Sequence, residues 1–240
     1  ANLNVSDGVI ANTQHEEEQI RSHGVTAPVM VVPNGVVAPA RDAHAAERFR
    51  SAIGIDPDHL VVAFIGRIVP KKGLHHLIRA FTLVASNFPD AALVIGGDRG
   101  QCPAYVAELD RIASDSGISE LIWWPGFLDE TQKAALLGTA DVFFHVSESE
   151  GMAMAILEAM SAGVPTLVSD KCYMDAAVEG DAVLEVKANA TEIAKALRRV
   201  LASESFRHGI GKSAVRFIEK FHRWEVISEK LLALYGAPER

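Results

Sequence analysis

Leu60-Val61-Val62-Ala63-Phe64-Ile65-Gly66-Arg67-Ile68-Val69-Pro70-Lys71-Lys72-Gly73 is the stretch on which the fold turns. Its first six residues are unbroken in their apolar character and rich in β-branched side chains. That is the pattern of a strand buried on both faces. Beyond Gly73, apolar residues recur at helical spacing: Leu74, Leu77, Ile78, Phe81 and Val84. Strand, tight turn and helix in that order make the first part of a βαβ unit.

The chain downstream repeats the unit. Ala92–Ile95 reads as a second strand, ended by Gly96-Gly97, and Val106, Leu109, Ile112 and Ala113 mark the next helix. Leu121–Trp124 is a third strand, stopped at Pro125-Gly126. Asp129 with Gln132 three residues later is a capping box that opens a helix running through Leu137. Val142–Val146 is a fourth strand, followed by a helix over Met152–Ala162 that Gly163 is placed to end. Pro165–Val168 and Ala182–Val186 are the fifth and sixth strands, and Glu192–Leu201, Phe206–Phe221 and Trp224–Leu234 read as helices. Upstream lie a strand-like Gly8–Ala11 and a polar helical stretch, Gln14–Ser22. The fold class is therefore α/β: a doubly wound, Rossmann-like parallel sheet covered on both faces. Such sheets bind ligands at the carboxyl ends of their strands, so the residues after each strand are the candidates for chemistry.

Bulk properties narrow the function. The chain has 240 residues, 49% apolar and 22% charged, enough for a real core. Its formal net charge of −8 argues against nucleic acid as the main partner, since phosphate backbones need a basic face. Cys102 and Cys172 sit in separate segments and form neither a metal spacing nor a disulfide framework. No apolar run reaches the roughly 18 residues of a membrane span, and no charged segment followed by an apolar one opens the chain. The expected location is the cytoplasm, with no transmembrane segment.

Two loops carry candidate chemistry. After the first strand, Gly66 allows a sharp turn, and Arg67 and Lys72 stand beside a helix N-terminus. Two cations and a helix dipole suit a diphosphate, although Lys71 and Lys72 could equally be a solvated loop. After the fourth strand comes Ser147-Glu148-Ser149-Glu150-Gly151-Met152-Ala153-Met154-Ala155-Ile156-Leu157-Glu158. A carboxylate can accept from two adjacent hydroxyls, so of Glu150 and Glu158 one would suit the ribose diol of a nucleotide and the other a pair of sugar hydroxyls. The amides near Met152–Met154 could meet a phosphate. The plain alternative is a Glu favoured by a helix start and a second one exposed further along. Glu158, however, lies in a mostly apolar helix, where a charge is costly to bury without partners. Gly209-Ile210-Gly211-Lys212-Ser213 has the end of a phosphate-binding loop but lacks its first Gly and its strand.

Taken together, these motifs resemble the group-1 (family 4) retaining glycosyltransferases of GT-B architecture. Gly66-Arg67 with Lys72-Gly73, and Glu150 with Glu158, match two of their signatures. Val32-Pro33-Asn34-Gly35-Val36 and Glu158-Ala159-Met160-Ser161-Ala162-Gly163-Val164-Pro165 match two more. The resemblance covers nearly the whole chain and implies its C-terminal, donor-binding half. It implies that Arg67 and Lys72 hold the donor diphosphate, Glu150 the donor-sugar hydroxyls and Glu158 the ribose. Gly66, Gly151, Met152, Ala153 and Met154 would join them in binding the substrate, and backbone groups at Gly126 and Phe127 would meet the base. Catalytic weight would rest on Glu150, Arg67 and Lys72, without a metal or other cofactor. By the same resemblance, residues 1–25 are the tail of a preceding domain, 26–221 the donor domain and 222–240 a helix that crosses back. The acceptor (a sugar, lipid-linked sugar or small molecule) would belong to the N-terminal domain, which could also bring the protein to a membrane peripherally.

The sequence departs from the family's pattern in places. Glu150-Gly151-Met152-Ala153 stands for Glu-Gly-Phe-Gly, Val37 replaces an Asp, and Lys171-Cys172-Tyr173-Met174-Asp175 replaces a Gly-Gly-then-Glu segment, with Asp175 the nearest acidic match. Two other readings stay open: a non-catalytic nucleotide-sugar-binding module, and another GT-B enzyme such as a nucleotide-sugar epimerase.

Overall fold

The computed structural model describes residues 2–39 and 42–236. A small parallel pair comes first: β1 (Val9–Ala11) lies beside β2 (Val29–Val31), with α1 (Gln14–Ser22) between them in sequence. Next come α2 (Ala43–Ile53), β3 (Leu60–Ile65), α3 (Leu74–Ala85), β4 (Ala91–Gly96), α4 (Pro103–Asp115), β5 (Ile122–Gly126) and α5 (Glu130–Thr139). The chain continues through β6 (Val142–His145), α6 (Met154–Ser161), β7 (Thr166–Val168), α7 (Asp175–Glu179) and β8 (Leu184–Glu185). It closes with α8 (Ala190–Leu201), α9 (Glu204–Phe221) and α10 (Trp224–Leu234).

Strands β3 to β8 form one parallel sheet in the order β5-β4-β3-β6-β7-β8. The expected doubly wound sheet is therefore present. The chain builds from β3 to one edge, returns to the middle at β6 and builds to the other edge. The reversal between β3 and β6 is the switch point of the sheet, where ligands of such folds bind.

Alternation along the strands divides the core. Val62 and Phe64 of β3, Leu93 and Ile95 of β4, and Phe144 of β6 pack with residues of α3, α4 and α8. Their neighbours Val61, Ala63, Ile65, Ala92, Val94 and Phe143 point to the other face, against α2 and α5. A third cluster joins Ile156, Leu157 and Met160 of α6 to Ala177 of α7 and to Ala214 and Ile218 of α9. Phe64, Phe81, Phe143 and Phe144 are fully buried, each contributing about 1.5–3 kcal/mol from apolar burial.

Several boundaries move for local reasons. The Asp129–Gln132 capping box forms as expected, and Gly163 takes φ 72° just past α6. Leu121 belongs to a short 3-10 turn, and β5 begins at Ile122. The sixth strand shrinks to Leu184–Glu185, and the Ala182 N–H donates to the Ala177 carbonyl of α7 rather than to a neighbouring strand. Helix α6 starts at Met154 rather than Met152, because Ala153 before it is in an extended conformation and serves as its N-cap. Strand β2 and helix α2 were not legible from periodicity: β2 is three residues long, and α2 buries only Ala46 and Phe49. The loop-like Gly209–Ser213 lies inside α9, where a Cβ on Gly211 would strike the Gly163 carbonyl. That glycine serves helix packing. Among the described residues no helix is long and apolar enough to cross a membrane.

Candidate donor site at the switch point

The two loops that leave β3 and β6 meet at the carboxyl edge of the sheet. Gly73 makes the meeting possible. It adopts φ +66°, and a Cβ there would collide with the Val146 carbonyl oxygen. The Glu148 N–H donates to the Lys71 carbonyl at 2.8 Å, stitching one loop to the other. A third loop, after β7, closes from below. The Glu150 N–H donates to the Lys171 carbonyl at 3.1 Å, and the Cys172 thiol to the His145 carbonyl at 3.2 Å. Lys171-Cys172-Tyr173, where the sequence departs from the family pattern, thus supports the Glu150 loop through its backbone and one buried thiol.

Lys72 and Glu150 come together at this junction. The Lys72 ammonium donates directly to Glu150 Oε1, and each side chain retains only 10% of its exposure. His145 stands at the end of β6, with Nε2 3.3 Å from Glu150 Oε1 and 3.4 Å from Lys72 Nζ. Burial would by itself raise the Glu150 carboxyl. Hydrogen bonds from His145 and Lys72 outweigh it and hold the group well below the usual carboxylate range. Burial pushes the His145 imidazole down, so it is neutral near pH 7. Arg67, on the same loop as Lys72, is exposed, and no side-chain hydrogen bond or ion pair engages it among the described residues.

Glu158 lies one side of this cluster, in α6. Lys133 of α5 reaches its Oε1 at 3.2 Å and also pairs with Glu130 at 2.8 Å. The Glu158 carboxylate opens on a cleft of about 560 Å³ lined also by Gly35, Val36, Lys133, Met154 and Trp224. Ala153 precedes α6 without a side-chain cap, so first-turn amides of that helix have no side-chain acceptor. Gly126, at φ +81°, ends β5, and Phe127 beyond it is 78% exposed. A larger hollow of about 950 Å³ adjoins this cleft through Pro39, Asp42, Ala134 and Leu137 and extends away from Glu158 towards Asp141, Pro165 and Arg207. Asp141 and Pro165 immediately precede β6 and β7, at the amino ends of strands and away from where such sheets hold ligands.

The loop Pro33–Val36 is anchored at the same edge. The Asn34 N–H donates to Met152 Sδ at 3.2 Å, His222 Nδ1 donates to the Asn34 carbonyl at 3.0 Å, and Val36 bridges to Arg223. Met152, which stands where the family pattern has Phe, thereby receives a bond from the chain's entry into the main sheet. Sequence reasoning placed Arg67, Lys72, Glu150 and Glu158 at one edge and missed His145 and Lys133. A lone His in an otherwise apolar strand, directly before an acidic loop, was the available signal for the first. Glu130 and Lys133 at helical spacing was the signal for the second. Among the described residues, no group of three or more His, Cys, Asp or Glu is arranged to hold a metal ion.

Comparison with known proteins places this geometry. The model of "Glycosyl transferases group 1" matches residues 45–217. The D-inositol 3-phosphate glycosyltransferase of Actinosynnema mirum is 30% identical over 240 residues, covering 96% of this chain and 57% of the relative. The chain thus spans somewhat more than half the length of that relative. In fold it is similar to HepE of Anabaena, solved in complex with UDP and glucose, at TM-score 0.88 and 21% identity over 97% of this chain and 64% of that one. It is also similar to the sucrose-phosphate synthase of Thermosynechococcus elongatus, at TM-score 0.82 and 22% identity over 98% of this chain and 59% of that one. On the family match across residues 45–217, most of its length, the chain belongs to the group 1 glycosyl transferases.

Proposed function

We propose that this chain is the donor-binding half of a retaining, metal-independent glycosyltransferase that takes its sugar from a nucleoside-diphosphate sugar. The observation that carries the reading is the convergence of Lys72 and Glu150 at the switch point, from loops 78 residues apart in sequence. Arg67 and Lys72 receive the diphosphate, supported by the backbone amides of Met152, Ala153 and Met154 leading into α6 and by the turn at Gly66 and Gly151. Glu150 accepts from sugar hydroxyls and Glu158 from the ribose diol. Gly126 and Phe127, at the end of β5, offer backbone groups to the base. The Anabaena neighbour solved with UDP-glucose supports the ligand class.

In this reading the leaving diphosphate gathers negative charge as the glycosidic bond breaks. Cationic side chains beside the site stabilise that charge. Arg67 and Lys72 supply it, so no cofactor is required. The departing phosphate stays on the face where the acceptor hydroxyl enters and assists its deprotonation, which retains the anomeric configuration. The acceptor is met by the remaining part of a longer protein. The 240-residue chain accordingly binds donor by itself and transfers little.

Calorimetry with UDP and GDP tests the assignment. Glu158→Ala should weaken the better-bound nucleotide about 10- to 150-fold, the worth of hydrogen bonds to a charged group. An unchanged affinity removes Glu158 from the ribose.

A further inference from the structure

We propose that His145 is a positioning residue: it grips Glu150 by Oε1, so that the carboxylate stays aimed at the ligand when Lys72 turns to a diphosphate. The inference deepens the donor-site reading above and rests on it for the ligand. The grip itself is a property of the free chain.

His145 is 2% exposed. Its ring lies nearly parallel to those of Phe64 and Phe143, with centroids 6.3 Å away on each and interplanar angles of 20° and 22°. The apolar slot fixes the ring plane. Nδ1 is buried without a hydrogen-bond partner among the described residues, so all polar contact of the ring runs through Nε2. That nitrogen faces Glu150, which can only accept, and Lys72, which can only donate. A neutral imidazole has one N–H and cannot serve both. With the proton on Nε2, the ring donates to Glu150 and leaves a bare lone pair at Nδ1. With the proton on Nδ1, the ring accepts from Lys72 and buries an unpaired N–H. Orphaned buried N–H groups are the rarer state, and under-satisfied acceptors are better tolerated. The Nε2–H form therefore prevails. The charged and titratable groups around the ring are Lys71 and Lys72 on the loop after β3, Glu150 on its own loop, and the Cys172 thiol on its backbone carbonyl.

Glu150 Oε1 is thus held by two donors of different kinds. Lys72 carries a charge that a diphosphate competes for. His145 carries none and is walled in by the two phenylalanines. When a diphosphate draws Lys72 away, the neutral donor remains and the second carboxylate oxygen keeps its direction. Without His145, Glu150 follows the lysine. His145 therefore matters for a ligand that carries both diphosphate and sugar, and much less for the diphosphate alone.

Two measurements on the 240-residue chain test this. Long-range ¹⁵N NMR of the ligand-free chain should show His145 as the neutral Nε2–H tautomer at about pH 7 and above, consistent with its lowered pKa. A neutral Nδ1–H form overturns the proposal. Calorimetry then compares UDP with UDP-glucose in the wild type, His145→Phe and His145→Gln, each checked for folding by its thermal melt. His145→Phe should weaken UDP-glucose about 10-fold and UDP by less than about 2-fold. His145→Gln, which restores an N–H, should recover most of the loss. Equal losses for both ligands, or no recovery with Gln, overturn the positioning role. Failure of the wild type to bind either ligand overturns the donor-site reading instead, and the tautomer result stands apart from it.

Discussion

Glu150 and Glu158 belong to one motif, yet the protein treats them differently. Glu150 is shut between two loops and a strand end, gripped by Lys72 and His145, with 10% of its side chain exposed. Glu158 looks into an open cleft, is 22% exposed, and shares Lys133 with the solvent-facing Glu130. The difference tracks the work proposed for each. A sugar hydroxyl next to a breaking bond needs a carboxylate fixed before the ligand arrives. A ribose diol needs only an acceptor within reach. Burial therefore follows proximity to the chemistry rather than position in the motif.

The comparison can be broken first by stability. Lys72→Met strands a buried carboxylate and should cost about 3–5 kcal/mol, the usual result of removing one partner of a buried pair. Lys133→Met removes a partly exposed partner and should cost about 1 kcal/mol or less. Urea denaturation of both variants gives the answer, and similar losses would mean the two carboxylates are held alike. A smaller effect is expected in acid. The Glu150 pKa in the folded chain lies below its unfolded value of about 4.3. Its stabilisation is therefore fully present above about pH 4.3 and is lost as pH falls towards the folded value. Relative to Glu150→Gln, the wild type should lose up to about 1.4 kcal/mol per pH unit on that limb. Denaturation midpoints at about pH 3 and 6 read the slope, and parallel limbs would show that Glu150 is not the group being protonated. The smallest effect belongs to the open side. Phe127→Ala, at a residue 78% exposed, should leave the thermal midpoint within the scatter expected of a change under about 0.5 kcal/mol. A larger drop would reveal packing that the open side is not expected to have.

Much of this was legible from the chain. β3, β4 and β6 are continuous apolar runs, and their order with the intervening helices dictated a doubly wound sheet. Arg67, Lys72, Glu150 and Glu158 stood out because they follow strands β3 and β6. What stayed hidden has two physical sources. Helix α2 has only a thin apolar face, with Ala46 and Phe49 buried, so its periodicity barely rises above that of a polar loop. The partners of the two carboxylates are set by tertiary approach. Lys72 reaches Glu150 across 78 residues and Lys133 reaches Glu158 across 25, distances over which no local pattern carries information. His145 was masked for another reason: in Phe143-Phe144-His145-Val146 it reads as part of a core strand, and only the loop beyond it gives its Nε2 a purpose.

The anchoring of Asn34 has a consequence in time. His222 bonds to it across 188 residues and Met152 across 118. A chain emerging from a ribosome at about 5–20 residues per second would hold Asn34 for about 10–40 s before His222 appeared. The Asn34 loop, which also holds Met152 beside Glu150, thus gains its His222 tether only when most of the unit has been made. Until then the sheet can already be assembled while its ligand edge is still being finished.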